Sequence, residues 1–352
     1  MKKILVIQQK MIGDVLTSSI LFERLRSEFP EAQLDYLINS NTKPVVENNP
    51  YIDNFILLTK EIEQSKLKLL KLARSINKVQ YNVVIDVYGK ISSLLVTLFS
   101  KADLKIGYFK TYSSLIYNHA MRRKTHNSYK SSLAIENRLL LLEPLGIDFK
   151  PIEPKIYLTQ EDIENAKKYL ESQHIDLNQP LIMISVLGSS NEKTYPFEYM
   201  AELLDYIVEK IQNVQLLFNY IPKQVNEARA IYNACKQITK QHIYLEVFGN
   251  SLNEFLAITY HCDALIGNEG GANNMAKALN KSTFTIFSPY LNKENWFGEV
   301  EKHRHVAIHL SDFIAYDESD KKEAKANPTA YYSQLKPSYM IPQLSSFLET
   351  LV

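Results

Sequence analysis

The sequence predicts an α/β protein of two Rossmann-like domains, each with a parallel sheet, and three observations carry that prediction. The chain opens with an apolar run at residues 4–7, a turn with one glycine and an amphipathic helix. This order is typical of nucleotide-binding α/β domains. Short apolar strands then alternate with helices, which implies parallel pairing through right-handed crossovers. After Pro180 the same pattern starts again.

The predicted strands divide the chain into two similar halves. We expect a first domain at residues 1–157, a second at 158–335, and a final amphipathic helix in 336–352 that packs back on the first domain. Two such domains facing one another across a cleft form the arrangement that nucleotide-sugar transferases of the GT-B type adopt. The strands are expected at residues 4–7, 33–38, 54–58, 81–86, 104–108, 181–186, 214–219, 242–246, 264–266 and 283–287.

Composition excludes several classes of protein. The chain has 352 residues, 45% of them hydrophobic, so it can bury two ordinary cores. Its net charge of +1 argues against a genome-binding protein, and we expect no nucleic-acid partner. Cys235 and Cys262 form no CxxC motif, and the eight histidines form no ligand pattern. The sequence therefore predicts no metal site and no disulfide framework.

The cellular location follows from what the chain lacks. Only four apolar residues follow the basic start at Met1, fewer than the ~7–15 of a signal-peptide core. No apolar run approaches the ~18 residues of a membrane span. We expect a cytoplasmic protein, and peripheral contact with the inner face of the membrane remains open.

The most informative residue is Asp14, at the start of the first helix. It follows the carboxyl end of a strand, where open α/β sheets bind their ligands. A carboxylate there repels a phosphate, but it suits a general base. The competing interpretation is a helix cap that contributes about 1 kcal/mol of stability. Gly13 beside it is expected to bring the backbone close to an acceptor.

Three stretches in order resemble glycosyltransferase family 9, the ADP-heptose lipopolysaccharide heptosyltransferases. They are Met-Ile-Gly-Asp-Val-Leu at 11–16, Lys-Thr-Tyr-Pro at 193–196 and Gly-Asn-Glu-Gly-Gly-Ala-Asn-Asn-Met-Ala-Lys-Ala-Leu at 267–279. The resemblance covers nearly the whole chain. It implies that Asp14 is the general base and that the donor is a nucleotide sugar, ADP-linked in this family. Because the histidines form no ligand pattern, we expect a metal-independent site, and we expect no cofactor besides the donor.

The resemblance also implies a donor site in the second domain. Lys193 matches the family's lysine on the donor diphosphate, and Ser189 with its neighbour Ser190 occupies the place of a diphosphate-binding hydroxyl. A double glycine at the start of a helix lets a diphosphate approach the backbone amides. The competing interpretation of Lys193 is a solvated lysine, and that of the serines and of the double glycine is a plain turn. The full donor set comprises Lys193, Ser189, Ser190, Glu269, Gly270, Gly271, Asn274 and, near the adenine, Asn250.

This chain departs from the family at the third motif. The family's Asp is Glu269 here, its Ser or Thr is Gly270, and its His falls on Asn274. These changes bear on the donor sugar and on activity itself.

A basic stretch with interleaved tyrosines lies at residues 101–130, with Asp103 as its one acid. It suits an acidic glycolipid or saccharide acceptor, or an anionic membrane face, where each basic residue adds ~1 kcal/mol. The competing interpretation is a solvated basic loop. The candidate acceptor residues are Gly13, Lys105, Lys110, Arg122, Arg123 and Lys124.

The sequence as a whole predicts an inverting, metal-independent glycosyltransferase. Its acceptor would be a lipopolysaccharide-core-type or related surface glycan. Three alternatives stay open: a transferase with a different nucleotide-sugar donor, a non-catalytic nucleotide- or carbohydrate-binding protein on the same scaffold, and an NAD-dependent oxidoreductase. The last is disfavoured because neither first turn contains G-x-G-x-x-G.

Overall fold

The chain forms two compact units, Met1–Tyr157 and Leu158–Val352. The structure is a computed structural model that describes residues 1–299 and 304–351. Within that part of the chain each unit contains one six-stranded sheet in which all pairs are parallel. The predicted fold class, two Rossmann-like parallel-sheet domains, is confirmed.

The sheet of the first unit has the order β3-β2-β1-β4-β5-β6. Its strands are β1 Lys3–Ile7, β2 Gln33–Asn39, β3 Asn54–Leu58, β4 Val83–Asp86, β5 Leu104–Tyr108 and β6 His119–Met121. Its helices are α1 Ile12–Ser18, α2 Ile20–Glu28, α3 Lys60–Glu63, α4 Lys66–Asn77, α5 Ile91–Phe99 and α6 Leu133–Leu140.

Hydrophobic burial on both faces explains the central strands of this sheet. Residues 4–7 of β1 are fully buried, as expected for a parallel strand covered by helices on either side. The first predicted helix is in fact two, because Ser19 lies between α1 and α2 and its hydroxyl donates to the Leu16 carbonyl at 2.7 Å. Such a bond to the preceding turn competes with regular helix hydrogen bonding.

The sheet of the second unit has the order β12-β11-β10-β7-β8-β9. Its strands are β7 Leu181–Ser185, β8 Gln215–Asn219, β9 Ile243–Tyr244, β10 Ala264–Asn268, β11 Ser282–Ile286 and β12 His305–Ile308. Its helices are α7 Gln160–Ser172, α8 Phe197–Lys210, α9 Val225–Ala234, α10 Gln237–Lys240, α11 Leu252–His261, α12 Gly271–Ala278, α13 Glu318–Ala326, α14 Pro328–Tyr332 and α15 Pro337–Glu349.

The C-terminal helix α15 belongs to the second unit, which corrects the expectation that residues 336–352 pack back on the first domain. Its apolar face, with Met340, Leu344 and Phe347, is buried in the core that also contains strands β7, β8 and β11. Phe347 packs on Phe284 of β11 with ring centroids 5.7 Å apart. An amphipathic pattern predicts that a helix packs, but it carries no information on which surface receives it.

The two sheets share one topology, and this fixes where a site can form. Each follows the nucleotide-binding order 3-2-1-4-5-6 in its own numbering, so the strand order reverses between β1 and β4 and between β7 and β10. Open α/β sheets bind ligands outside the carboxyl ends of the strands at such a reversal. Within residues 1–299 and 304–351 no helix combines the length and apolarity needed to cross a bilayer.

Candidate active site

The turn after β1 presents Asp14 at the point where the first sheet reverses. The N-cap of α1 is Met11, whose φ of 64° is a conformation that side chains rarely adopt. The cap makes no side-chain hydrogen bond, and Asp14 is the third residue of the helix. The capping interpretation of Asp14 is therefore wrong. Gly13 is buried within α1, and its carbonyl accepts from Thr17 at 2.8 Å.

Asp14 is held by an arginine that the sequence analysis did not identify. Its Oδ1 lies 2.5 Å from Nη2 of Arg138 on α6. Arg138 is nearly buried, with 6% of its side chain exposed, whereas Asp14 keeps 32%. The guanidinium also donates to Ser18 Oγ at 3.2 Å and to the Ala134 carbonyl at 3.1 Å. These bonds fix the arginine, and through it the carboxylate.

Two buried tyrosines lie beside this ion pair. Burial raises the pKa of Tyr36 far above its usual value, and its hydroxyl donates to the Val15 carbonyl at 2.8 Å. Burial raises the pKa of Tyr108 as well, and its hydroxyl donates to Asn137. Both tyrosines are neutral hydrogen-bond donors to the backbone. A partly exposed, oriented carboxylate at a sheet reversal can serve as a general base.

Three of the predicted acceptor residues lie at the carboxyl edge of the first sheet. Lys110 follows β5, and its Nζ donates to the Gly89 carbonyl at 2.6 Å. Arg122 and Arg123 follow β6 and are exposed. Their guanidinium carbons lie 4.8 Å from the Phe109 ring centroid and 3.7 Å from that of Tyr108.

The structure places the other two basic candidates differently. Lys105 is the second residue of β5, opposite Val84. At about 3.3 Å per residue it lies roughly 10 Å from the carboxyl end of its strand. Lys124 Nζ lies 3.5 Å from Glu136, whose side chain is 0% exposed. Lys124 thus compensates a buried carboxylate, and Glu136 also accepts from the amides of residues 128 and 129.

In the second unit, the turn after β7 is shaped by a close approach at Gly188. A Cβ at this position would lie 2.2 Å from the Lys193 carbonyl oxygen, so only glycine fits. The Gly188 amide donates to Thr194 Oγ1 at 3.0 Å. The turn folds back on itself, and Ser189 and Ser190 are exposed on it.

The turn after β10 brings a second predicted residue to Lys193. Lys193 Nζ lies 3.0 Å from Glu269 Oε1, with 29% and 10% of the two side chains exposed. The two residues belong to loops that follow β7 and β10, adjacent strands of the sheet. The topology thus joins two motifs that are 76 residues apart in the sequence.

Asn268, which the sequence analysis did not single out, ties these two loops together. Its Nδ2 donates to the carbonyls of Ser185 and Val186, both at 2.9 Å, and its Oδ1 accepts from the Tyr195 amide at 2.7 Å. It is completely buried at the end of β10. The available signal was a polar residue at the end of an apolar strand.

The start of α12 offers hydrogen-bonding groups to a ligand. Gly270 is its N-cap and Gly271 its first residue, and a Cβ at either would meet no atom within 4 Å in the described part of the chain. Asn273 Oδ1 is buried here without a hydrogen bond in residues 1–299 and 304–351, whereas Glu269 Oε1 is paired with Lys193. A helix N-terminus attracts anions, and an unpaired buried acceptor calls for a hydrogen-bond donor.

The last two donor candidates differ in their surroundings. Asn274 is half-buried in the first turn of α12, beside this site. Asn250 is exposed before α11, and its amide and Nδ2 donate to Glu254 Oε2 at 2.8 and 3.4 Å. Among the residues that the structure describes, no group of three His, Cys, Asp or Glu side chains is placed to hold a metal ion.

Comparison with known proteins identifies the family of this chain. Residues 69–324 match the model of glycosyltransferase family 9 (heptosyltransferase). Lipopolysaccharide heptosyltransferase 1 of Campylobacter coli is 26% identical over 315 residues, which cover 84% of this chain and 86% of the relative.

Two solved structures share the fold. The family 9 glycosyl transferase from Veillonella parvula has a TM-score of 0.83 at 20% identity, covering 99% of this chain and 98% of the other. The ADP-heptose lipopolysaccharide heptosyltransferase II of E. coli has a TM-score of 0.74 at 17% identity, covering 99% of each chain. The family match spans most of the sequence, so the chain belongs to glycosyltransferase family 9 and is a glycosyltransferase.

Proposed function

We propose that this enzyme transfers a heptose from ADP-heptose to a hydroxyl of a lipopolysaccharide-core-type acceptor, with inversion and without a metal. One observation carries the proposal. The two sheets reverse at equivalent points, and one reversal holds Asp14 while the other holds Lys193 and Glu269. A base and a cationic anion site are the two elements that such a transfer requires.

The first unit would bind the acceptor. The acceptor hydroxyl gives its proton to the Asp14 carboxylate while its oxygen forms a bond to the anomeric carbon of the donor. The bond from that carbon to the diphosphate breaks, and ADP leaves with the bonding electron pair. Attack opposite the leaving group inverts the anomeric centre. Arg138 acts as a positioning residue, because its guanidinium donates to Asp14, to Ser18 on the same helix as Asp14, and to the Ala134 carbonyl on its own helix.

The second unit would bind the donor diphosphate. Lys193, the hydroxyls of Ser189 and Ser190 and the amides at Gly270 and Gly271 would stabilise the negative charge that develops on ADP. Glu269 is a poor phosphate ligand, because its carboxylate repels an anion. We assign the Glu269 carboxylate and Asn273 Oδ1 to sugar hydroxyls, because the Asn273 oxygen is buried without a hydrogen-bond partner among the described residues and a hydroxyl can donate to it. Asn274 and Asn250 stay assigned to the donor, with Asn250 on the adenine side.

The proposed identity of the sugar and of the nucleotide is supported by the relatives. The solved relative from E. coli is named for ADP-heptose and lipopolysaccharide, and the Campylobacter relative for lipopolysaccharide heptosyl transfer. The changes at Glu269, Gly270 and Asn274 bear on the sugar, so a different nucleotide-sugar donor is the second candidate. We place the reaction in the cytoplasm, in line with the two buried free cysteines.

Thermal unfolding with a panel of nucleotides tests the donor. ADP, UDP, GDP, CMP and NAD are each added to the enzyme at about 100 times a plausible Kd, where a bound ligand adds about 2.7 kcal/mol of stability. We expect the melting temperature to rise with ADP alone. A rise with UDP or GDP instead would replace the donor while keeping a nucleotide-sugar transferase. No rise with any nucleotide would contradict the donor site.

A further inference from the structure

Two turns that meet at the carboxyl edge of the first sheet each expose large apolar side chains. Ile91, the first residue of α5, is 81% exposed, Tyr112 is 57% exposed and Leu115 is 97% exposed. The two turns meet at Gly89, whose carbonyl accepts from Lys110 Nζ at 2.6 Å and from the Tyr112 hydroxyl at 3.3 Å. We call Ile91, Tyr112 and Leu115 the apolar tip.

Positive charge surrounds the apolar tip. Lys90 precedes Ile91 and is exposed, Lys110 contacts the turn at Gly89, and exposed Arg122 lies over the ring of Phe109. The segment from residue 87 to 130 contains a single acid, Asp103, although the whole chain carries a net charge of only +1. Exposed apolar side chains inside a basic rim fit the acyl chains and anionic headgroups of a bilayer.

The apolar tip is also linked to the catalytic turn. Ser92, next to Ile91, donates to Gln9 Oε1 at 2.5 Å, and Gln9 begins the turn that leads to Asp14. Strands β1, β4 and β5 are parallel neighbours, so their carboxyl ends share one edge of the sheet. A surface that binds at this edge therefore lies on the side of the sheet where Asp14 is presented.

We propose that the apolar tip inserts Ile91, Tyr112 and Leu115 into an anionic membrane surface, with Lys90, Lys110 and Arg122 at the level of the headgroups. This contact holds the edge that carries Asp14 against the lipid surface. It goes beyond the proposed transfer reaction and does not depend on which sugar or nucleotide the enzyme uses.

Vesicle co-sedimentation of the full chain tests the proposal. The vesicles contain phosphatidylcholine alone, or phosphatidylcholine mixed with the anionic lipid phosphatidylglycerol. The parent is expected to bind the anionic vesicles and to lose binding as salt is raised. Leu115→Ser should weaken partitioning about tenfold, because a leucine side chain no longer enters the acyl region.

Leu67→Ser is the matched control, since Leu67 is 80% exposed on α4 of the same unit and outside the tip. It should bind like the parent, and both variants should melt like the parent. Failure of the parent to bind anionic vesicles, or equal loss in both variants, would overturn the proposal. So would concentration-dependent self-association that Leu115→Ser abolishes, because the tip would then be an interface between copies. No nucleotide is present, so failure here is distinct from failure of the donor assignment.

Discussion

Replacing Asp14 by Asn should separate the catalytic role of this residue from its role in stability. The amide keeps the shape of the side chain but removes its charge, so the guanidinium of Arg138 remains in place without a carboxylate. Arg138 is 6% exposed, and a buried charge that loses its partner destabilises a protein by about 3–5 kcal/mol. Asp14 itself is 32% exposed, so water can partly solvate the unpaired guanidinium. We therefore expect the free energy of unfolding to fall by only about 1–3 kcal/mol.

The assay combines thermal unfolding with turnover in a double-mutant cycle. A loss of about 2 kcal/mol should lower the melting temperature by roughly 4–8 °C for a unit of this size. Turnover should fall about 10²–10⁴-fold, the usual contribution of a general base. Adding Arg138→Met to Asp14→Asn removes the uncompensated charge, so the double variant should regain most of the lost stability and none of the turnover.

Two results would refute the catalytic role of Asp14, and a third would refute its pairing with Arg138. Turnover of Asp14→Asn within tenfold of the parent would show that another group accepts the proton. A double variant that regains turnover together with stability would show that Asp14 acts only through the fold. An Asp14→Asn variant as stable as the parent would remove Arg138 from the account, although it would leave the base unaffected.

Three further predictions concern the second unit. Lys193→Met should weaken ADP binding about ten- to hundredfold in a titration, because a charge-assisted hydrogen bond contributes about 1.5–3 kcal/mol. Lys223 also lies in the second unit and is exposed, and the control variant Lys223→Met should bind ADP like the parent. Gly188→Ala should lower the free energy of unfolding by about 1–3 kcal/mol and weaken ADP binding, because the added Cβ would lie 2.2 Å from the Lys193 carbonyl oxygen. An unchanged melting temperature would contradict this close approach. Burial lowers the pKa of His309, whose ring contacts the Pro289 carbonyl at 2.8 Å. The imidazole is therefore protonated at a higher pH in the unfolded chain than in the folded one, and stability is lost as pH falls below about 6.5. The melting temperatures at pH 7.5 and 5.5 should differ less in His309→Gln than in the parent.

The central strands and two edge strands, β3 and β9, could be predicted from the sequence, and the other two edge strands could not. Residues 4–7 and 181–186 form apolar runs that a two-sided parallel sheet requires, and both proved to be buried strands. The edge strands β6 and β12 have only three and four residues, and histidine begins each of them. Such short, partly polar segments carry no periodic signal, and pairing with a neighbour makes them strands.

The candidate site residues that lie close after a strand could be predicted from the sequence. Asp14 and Lys193 each lie shortly after the first strand of their unit, so their position could be derived from the order of elements. Arg138 lies 124 residues from Asp14 within the apolar helix Leu133–Leu140, and only the packing of α6 on α1 brings the pair together. Its one local signal was a charged residue on a helix whose residues are otherwise mostly apolar.

The product of a single transfer reaction tests the central claim most directly. The parent enzyme is incubated with ADP-heptose and a lipopolysaccharide-core acceptor, and the anomeric configuration of the new linkage is determined by NMR. The account predicts one added heptose whose anomeric configuration is opposite to that of the donor. Retention of the donor's configuration would contradict a single displacement with Asp14 as base, and absence of a heptosylated product would contradict the proposed donor and acceptor.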